Sequence, residues 1–156
     1  MTNSIDVRLF RKELMELLDE CFENTHGFFL DRGTSLLDTL DVLTPDQASA
    51  AISPAGATIA GHVDHVRFYL DVLTDDTEGK AVGKIDWEAS WRVREVDDVE
   101  WRELLVRLRQ AYRRLVEVLQ GLEDWNHENP VGAPMAILAH TAAHLGSIRQ
   151  ALRQVG

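Results

Sequence analysis

Two histidines one helical turn apart, His140 and His144, lie in the run Met135-Ala-Ile-Leu-Ala-His-Thr-Ala-Ala-His-Leu-Gly-Ser-Ile-Arg-Gln-Ala-Leu152. The run reads as one helix, and residues four apart on a helix sit one above the other, with Cβ atoms roughly 5–6 Å apart. Two imidazoles so placed can share one divalent ion, because neutral imidazole is a preferred ligand for zinc, nickel and iron. The apolar stripe of this helix passes through Ile137, Thr141, Ile148, Leu152 and Val155. At 100° per residue His144 falls on its edge and His140 about 40° further out. That position also suits two hydrogen-bonded histidines at the rim of a core. Two ligands are too few for a tight site, so the choice turns on a third donor elsewhere in the chain.

A second helical segment offers two candidates. Ala60-Gly-His-Val-Asp-His-Val-Arg-Phe-Tyr-Leu70 carries His62 and His65. The wheel puts His62 nearer the centre of the stripe and His65 at its edge, between Tyr69 and Val72, a placement that does not choose between them. His26 and His127 lie in loop-like contexts and read as solvated. Trp87 and Trp91, spaced i, i+4 in Trp-Glu-Ala-Ser-Trp, could line a pocket with Phe68 and Tyr69 or cap the end of a core. Asp64, Asp71 and Glu88 are the carboxylates nearest in sequence, and each reads as a solvated charge. The lone cysteine, Cys21, continues the apolar pattern Phe10, Leu14, Leu17, Leu18 and reads as a small buried hydrophobe, not a nucleophile.

Four long helices must position these groups. They run from about Ser4 to Asn24, Ala57 to Leu73, Asp98 to Leu122 and Ala133 to Gln154. Ser4 is a candidate N-cap for the first and Asp97 or Asp98 for the third, and Pro134 falls in the first turn of the fourth. The third helix has the cleanest stripe: Trp101, Leu104, Leu105, Leu108, Tyr112, Leu115, Leu119 and Leu122. Residues 25–56, with Gly27, Gly33, Pro45 and Pro54, form a long first connection holding two short helices, Ser35–Leu40 and Pro45–Ala51. Ala81–Ile85 is too short to assign. The expected fold is all-α, a four-helix bundle spanning 1–156 as a single domain.

Charge narrows the function. With 26 acidic against 16 basic side chains, the net charge is −10, the wrong sign for a phosphate-binding surface, so nucleic acid is excluded as a partner. No apolar run approaches the roughly 20 residues that span a bilayer, and the N-terminal residues lack the pattern of a secretory signal. The expected location is the cytoplasm.

The two histidine helices together resemble one family. His140-x-x-x-His144-x-Gly146-x-Ile148-Arg149-x-x-Leu152 is similar to the last helix of DinB-like proteins, and Thr58-Ile59-Ala60-x-x-x-x-His65-Val66 resembles their second. The resemblance covers most of the chain in helix order and length. It implies a four-helix bundle holding a divalent metal (zinc, nickel or iron) through His65, His140 and His144, with His62 outside the required pattern. It further implies a metal-dependent enzyme acting on a small molecule, with a low-molecular-weight thiol and S-transfer as the leading reading. A metal-dependent hydrolase is the enzymatic alternative, and a non-catalytic, stress-related dimeric binding protein the other. Metal binding requires neutral imidazoles, so at ordinary histidine pKa values affinity would fall steeply below about pH 6. Val106, Val116 and Val118 widen the stripe of the third helix beyond what one bundle should bury, and DinB-like proteins often pair, so a homodimer is expected.

Overall fold

The computed structural model describes residues 4–51 and 56–155; Pro54 of the long first connection lies outside them. Six helices follow in order: α1 (Val7–Phe22), α2 (Leu36–Asp41), α3 (Pro45–Ser49), α4 (Ile59–Thr77), α5 (Asp98–Gly121) and α6 (Glu128–Val155). A single 3₁₀ turn, Ala89–Trp91, precedes α5. There is no strand among the described residues, and Ala81–Ile85 is irregular. The long helices are α1, α4, α5 and α6, as the periodicity predicts. None is long and apolar enough to cross a membrane.

Local chemistry explains most boundaries. Asp97 accepts hydrogen bonds from the backbone N–H groups of Val99 and Glu100, and Glu100 reaches back to the Asp97 N–H, a closed capping box. Thr44 and Gln47 make the same arrangement at α3, with Pro45 at the first helical position. Ser35 caps α2 and Thr58 caps α4. Two starts differ from the sequence reading. Asp6, not Ser4, caps α1, because its carboxylate accepts from the Arg8 N–H at 2.8 Å. The last helix begins at Glu128, so Pro134 lies inside it. The proline removes one backbone hydrogen bond there, and burial of Pro130, Ala133 and Pro134 offsets the loss. The second long helix also continues past Leu73 to Thr77, and the short helix from Pro45 stops at Ser49.

The core sits where α4 packs against both α5 and α6 while α1 closes over α6. Leu18, Leu70, Leu108, Leu115, Ile137 and Ile148 are fully buried there. Phe22 stacks on Tyr112 across α1 and α5, with ring centroids 4.3 Å apart. Cys21 is buried as expected, and burial first, then the neighbouring Glu20 charge, pushes its thiol up to about 12, where it is no nucleophile.

Glu20 is the unusual core residue. It has no exposed surface, and its carboxylate accepts hydrogen bonds from the backbone N–H groups of Phe28, Phe29 and Leu30 at 3.0, 3.0 and 2.7 Å. Burial alone would raise this carboxyl, but the backbone donors outweigh it and hold it below its ordinary range. The acid thereby ties the start of the first connection to α1. The α5 stripe meets a different outcome from the one its width suggests. Trp101, Leu108, Tyr112 and Leu119 are buried within the chain, Leu105 and Val116 pack against the core, and only Val106 of the widening valines is exposed.

Candidate metal centre

α4 and α6 run against each other, and that contact brings together histidines 75 to 82 residues apart in sequence. His65 Nε2 lies 3.1 Å from His140 Nε2, and His144 Nε2 lies 3.2 Å from the same atom. The three side chains form the one group of metal-ligating residues that could hold an ion among the described residues. His62 stands beside this group and not in it. Its Nδ1 faces the Nδ1 of His144 at 2.8 Å.

The helical wheel misjudges burial on α4. His65 is 8% exposed and His62 is only half-buried, the reverse of their expected depths. The cause is the link between α4 and α5, which folds back over the His65 side. Trp91 stacks on His65 with centroids 4.1 Å apart and meets the edge of His62 at 5.4 Å. Gly61 permits this fold-back. A Cβ at that position would stand 2.9 Å from the Val93 carbonyl oxygen, closer than side chains tolerate. The other wall is Tyr69, which lies parallel to His140 at 3.7 Å. Trp87 packs on Phe68 and Tyr69 and is partly exposed, so of the two tryptophans it is Trp91 that lies against the histidines.

Hydrogen bonding fixes one tautomer. Ser90 has a single hydroxyl proton, which it donates to the Trp87 carbonyl at 2.6 Å. His65 Nδ1, 2.7 Å from the same oxygen, must therefore be the donor. Neutral His65 then carries its proton on Nδ1 and presents an unprotonated Nε2 to the cluster. This is the usual outer arrangement of a metal-bound histidine. Ser90 was not singled out by the sequence, although its place inside the Trp-Glu-Ala-Ser-Trp run was the available signal. The neighbouring carboxylates Asp64 and Asp71 do not take this role. Asp64 is buried, not solvated, and pairs with Arg67 at 2.9 Å, while Asp71 meets the same guanidinium at 2.7 Å.

The donor set suits a borderline metal ion. Three imidazole nitrogens facing one another need either a shared proton or a cation between them, and His140 Nδ1 is buried with no hydrogen-bond partner. Burial lowers the pKa of all four histidines. His140 is brought down to about 4, first by burial and then by His65. His144 reaches about 3, first by burial and then by His140, His62 and His65. Burial thus favours neutral, ligand-ready imidazoles throughout the cluster, most strongly at His140 and His144.

The remaining histidines lie apart. His26 contacts Asp19 at 2.6 Å and His127 contacts Asp124 at 3.0 Å, both at the surface. A cleft of about 570 Å³ lined by Glu23, His26, Arg32 and Asp38 shares no residue with the cluster. The sequence model of the DinB superfamily matches residues 30–148, more than half of the chain and enough to include every histidine of the cluster. No curated protein and no solved structure matches the chain.

Proposed function

The chain belongs to the DinB superfamily, and on that premise we propose that it binds one divalent ion through His65, His140 and His144 and acts as a metal-dependent enzyme on a small molecule. The observation that carries the reading is the meeting of three Nε2 atoms from α4 and α6, with the tautomer of one already set by Ser90. An all-imidazole donor set favours zinc, nickel or iron over magnesium or calcium. Such an ion, held by three protein nitrogens, supplies Lewis acidity at a position left for water or substrate. The chain's own part is orientation. Ser90 and Trp91 fix His65, Tyr69 fixes the plane of His140, and the aromatic walls restrict water.

A small thiol is the substrate class we favour. All three donors are neutral, so the ion's positive charge stays undiminished and stabilises a thiolate. Among the described residues no carboxylate is hydrogen-bonded to the cluster, since Asp64 is held by Arg67. A thiol bound to such an ion is deprotonated outright and needs no such base, whereas bound water is brought only to a pKa of about 7. This asymmetry ranks S-transfer above hydrolysis. The reading includes a cytoplasmic location. It also includes a homodimer, for which the family resemblance is the support, because the α5 stripe is largely used within the chain.

The test is a titration of the cobalt-substituted protein with 2-mercaptoethanol, followed by absorption. A sulfur-to-cobalt charge-transfer band that saturates with thiol is the expected result. A spectrum indifferent to thiol would overturn the thiol reading, and a closed, four-ligand cobalt spectrum would overturn the enzyme reading in favour of a structural metal.

A further inference from the structure

His62 lies outside the three-ligand group, yet it makes one of the shortest polar contacts in the region. Its Nδ1 sits 2.8 Å from the Nδ1 of His144. Two ring nitrogens at that distance share one proton, so one ring donates and the other accepts. The His144 ring decides which. Its other nitrogen, Nε2, faces His140 Nε2 at 3.2 Å inside the cluster. A nitrogen that is to bind a cation carries no proton, so the proton of neutral His144 belongs on Nδ1. His144 is then the donor and His62 Nδ1 the acceptor, and the His62 proton sits on Nε2.

We propose that His62 is a positioning residue that holds His144 in the tautomer able to bind metal, as Ser90 does for His65. The inference rests on the three-histidine reading of the site. Its geometric basis is the placement of His62 one turn before His65 on α4, where the two side chains share a face and both contact Trp91. The edge-on packing against Trp91 holds the His62 ring in place. Outer partners of ligating histidines are commonly carboxylates or backbone carbonyls. An imidazole in that place fixes the ring without adding negative charge, in keeping with the neutral donor set. The third ligand, His140, has no such partner on its Nδ1 and depends on stacking with Tyr69.

Two variants separate this role from ligation and from packing. His62→Leu keeps apolar bulk against Trp91 and removes the acceptor. His62→Asn places an amide oxygen near the position of Nδ1 and can still accept from His144. Ring-nitrogen NMR of the metal-free, ¹⁵N-histidine-labelled wild-type protein is expected to show His144 protonated on Nδ1 and His62 on Nε2. His62→Leu should lose the His144 preference and bind zinc roughly 10–100-fold more weakly. Its cobalt spectrum should keep the wild-type shape, because the ligand set is unchanged. His62→Asn should restore the tautomer and bring zinc affinity within about threefold of wild type. The proposal is overturned by a wild-type His144 protonated on Nε2, or by zinc affinity unchanged in His62→Leu. It is equally overturned by an Asn variant as weak as the Leu variant, or by a cobalt spectrum in His62→Leu that shows a lost ligand. A wild-type chain that has these tautomers but binds no zinc would refute the metal reading alone and support the hydrogen-bond assignment.

Discussion

Replacing Gly61 with alanine should harm this protein, although the same replacement inside a helix usually helps. Alanine is favoured over glycine in a helix interior by about 0.8–1.0 kcal/mol. Gly61 lies in the first turn of α4, and its N–H is already bonded to the Thr58 hydroxyl at 3.1 Å, so the gain there is at most that size. Against it stands the Val93 carbonyl, 2.9 Å from where the methyl would sit. That neighbour is backbone and cannot rotate away, so the 92–94 segment must retreat. Overpacking of this kind costs typically about 1–3 kcal/mol. The net effect should be a loss on the order of 1 kcal/mol, read as a lower urea midpoint with an unchanged slope. The retreat also pulls on Ser90 and Trp91, which hold His65, so zinc affinity should fall as well. Gly146, two residues after His144 on α6, is the control. A Cβ there meets nothing within 4 Å, so Gly146→Ala should stabilise by roughly 0.5–1 kcal/mol. If both variants are stabilised and bind zinc like wild type, the claim that the 92–94 segment is seated on Gly61 is wrong.

Other outcomes follow from the buried ionisable groups. The folded pKa values of His140 and His144, about 4 and about 3, lie below the unfolded value near 6.5, so the unfolded chain takes up protons first. In metal-free protein their contribution is therefore intact above pH 6.5 and is lost as pH falls through 6.5 toward 4. The rings are half-buried, and after allowance for solvent screening the loss should be on the order of 1–2 kcal/mol. Urea unfolding at pH 7 and pH 4.5 should show a smaller drop in a His140→Gln/His144→Gln variant than in wild type, and equal drops would contradict the assigned shifts. Glu20→Ala should cost roughly 3 kcal/mol by leaving three backbone N–H groups without their acceptor, and hydrogen exchange at Phe28, Phe29 and Leu30 should accelerate. A stability unchanged in Glu20→Ala would show that water replaces the carboxylate freely.

The sequence made the scaffold legible because apolar spacing at helical period is a local signal. The stripes of α1, α4, α5 and α6 stand out, and polar residues at Thr44 and Asp97 mark two helix starts. The start of α6 carries no such cap. Pro134 looked like a first-turn residue, but burial of Pro130 and Ala133 carries α6 back to Glu128. Of the site, His65, His140 and His144 could be named from motif resemblance, and α4 and α6 bring them together. Their surroundings were not legible, because they depend on where the α4–α5 link lands. That link inverted the expected burial of His62 and His65, put Ser90 on a ring nitrogen and laid Trp91 over the cluster. Its landing place is set by a close approach to Gly61, a tertiary contact with no periodic signature in the chain.

The most direct test of the account is zinc stoichiometry and affinity in protein made without a histidine tag, measured by mass spectrometry and competition with a chelator. The wild-type chain should carry about one ion, His65→Ala should bind none tightly, and His140→Ala and His144→Ala should each bind at least about tenfold more weakly. Unchanged zinc content and affinity in any one of these three variants would contradict a site built from His65, His140 and His144.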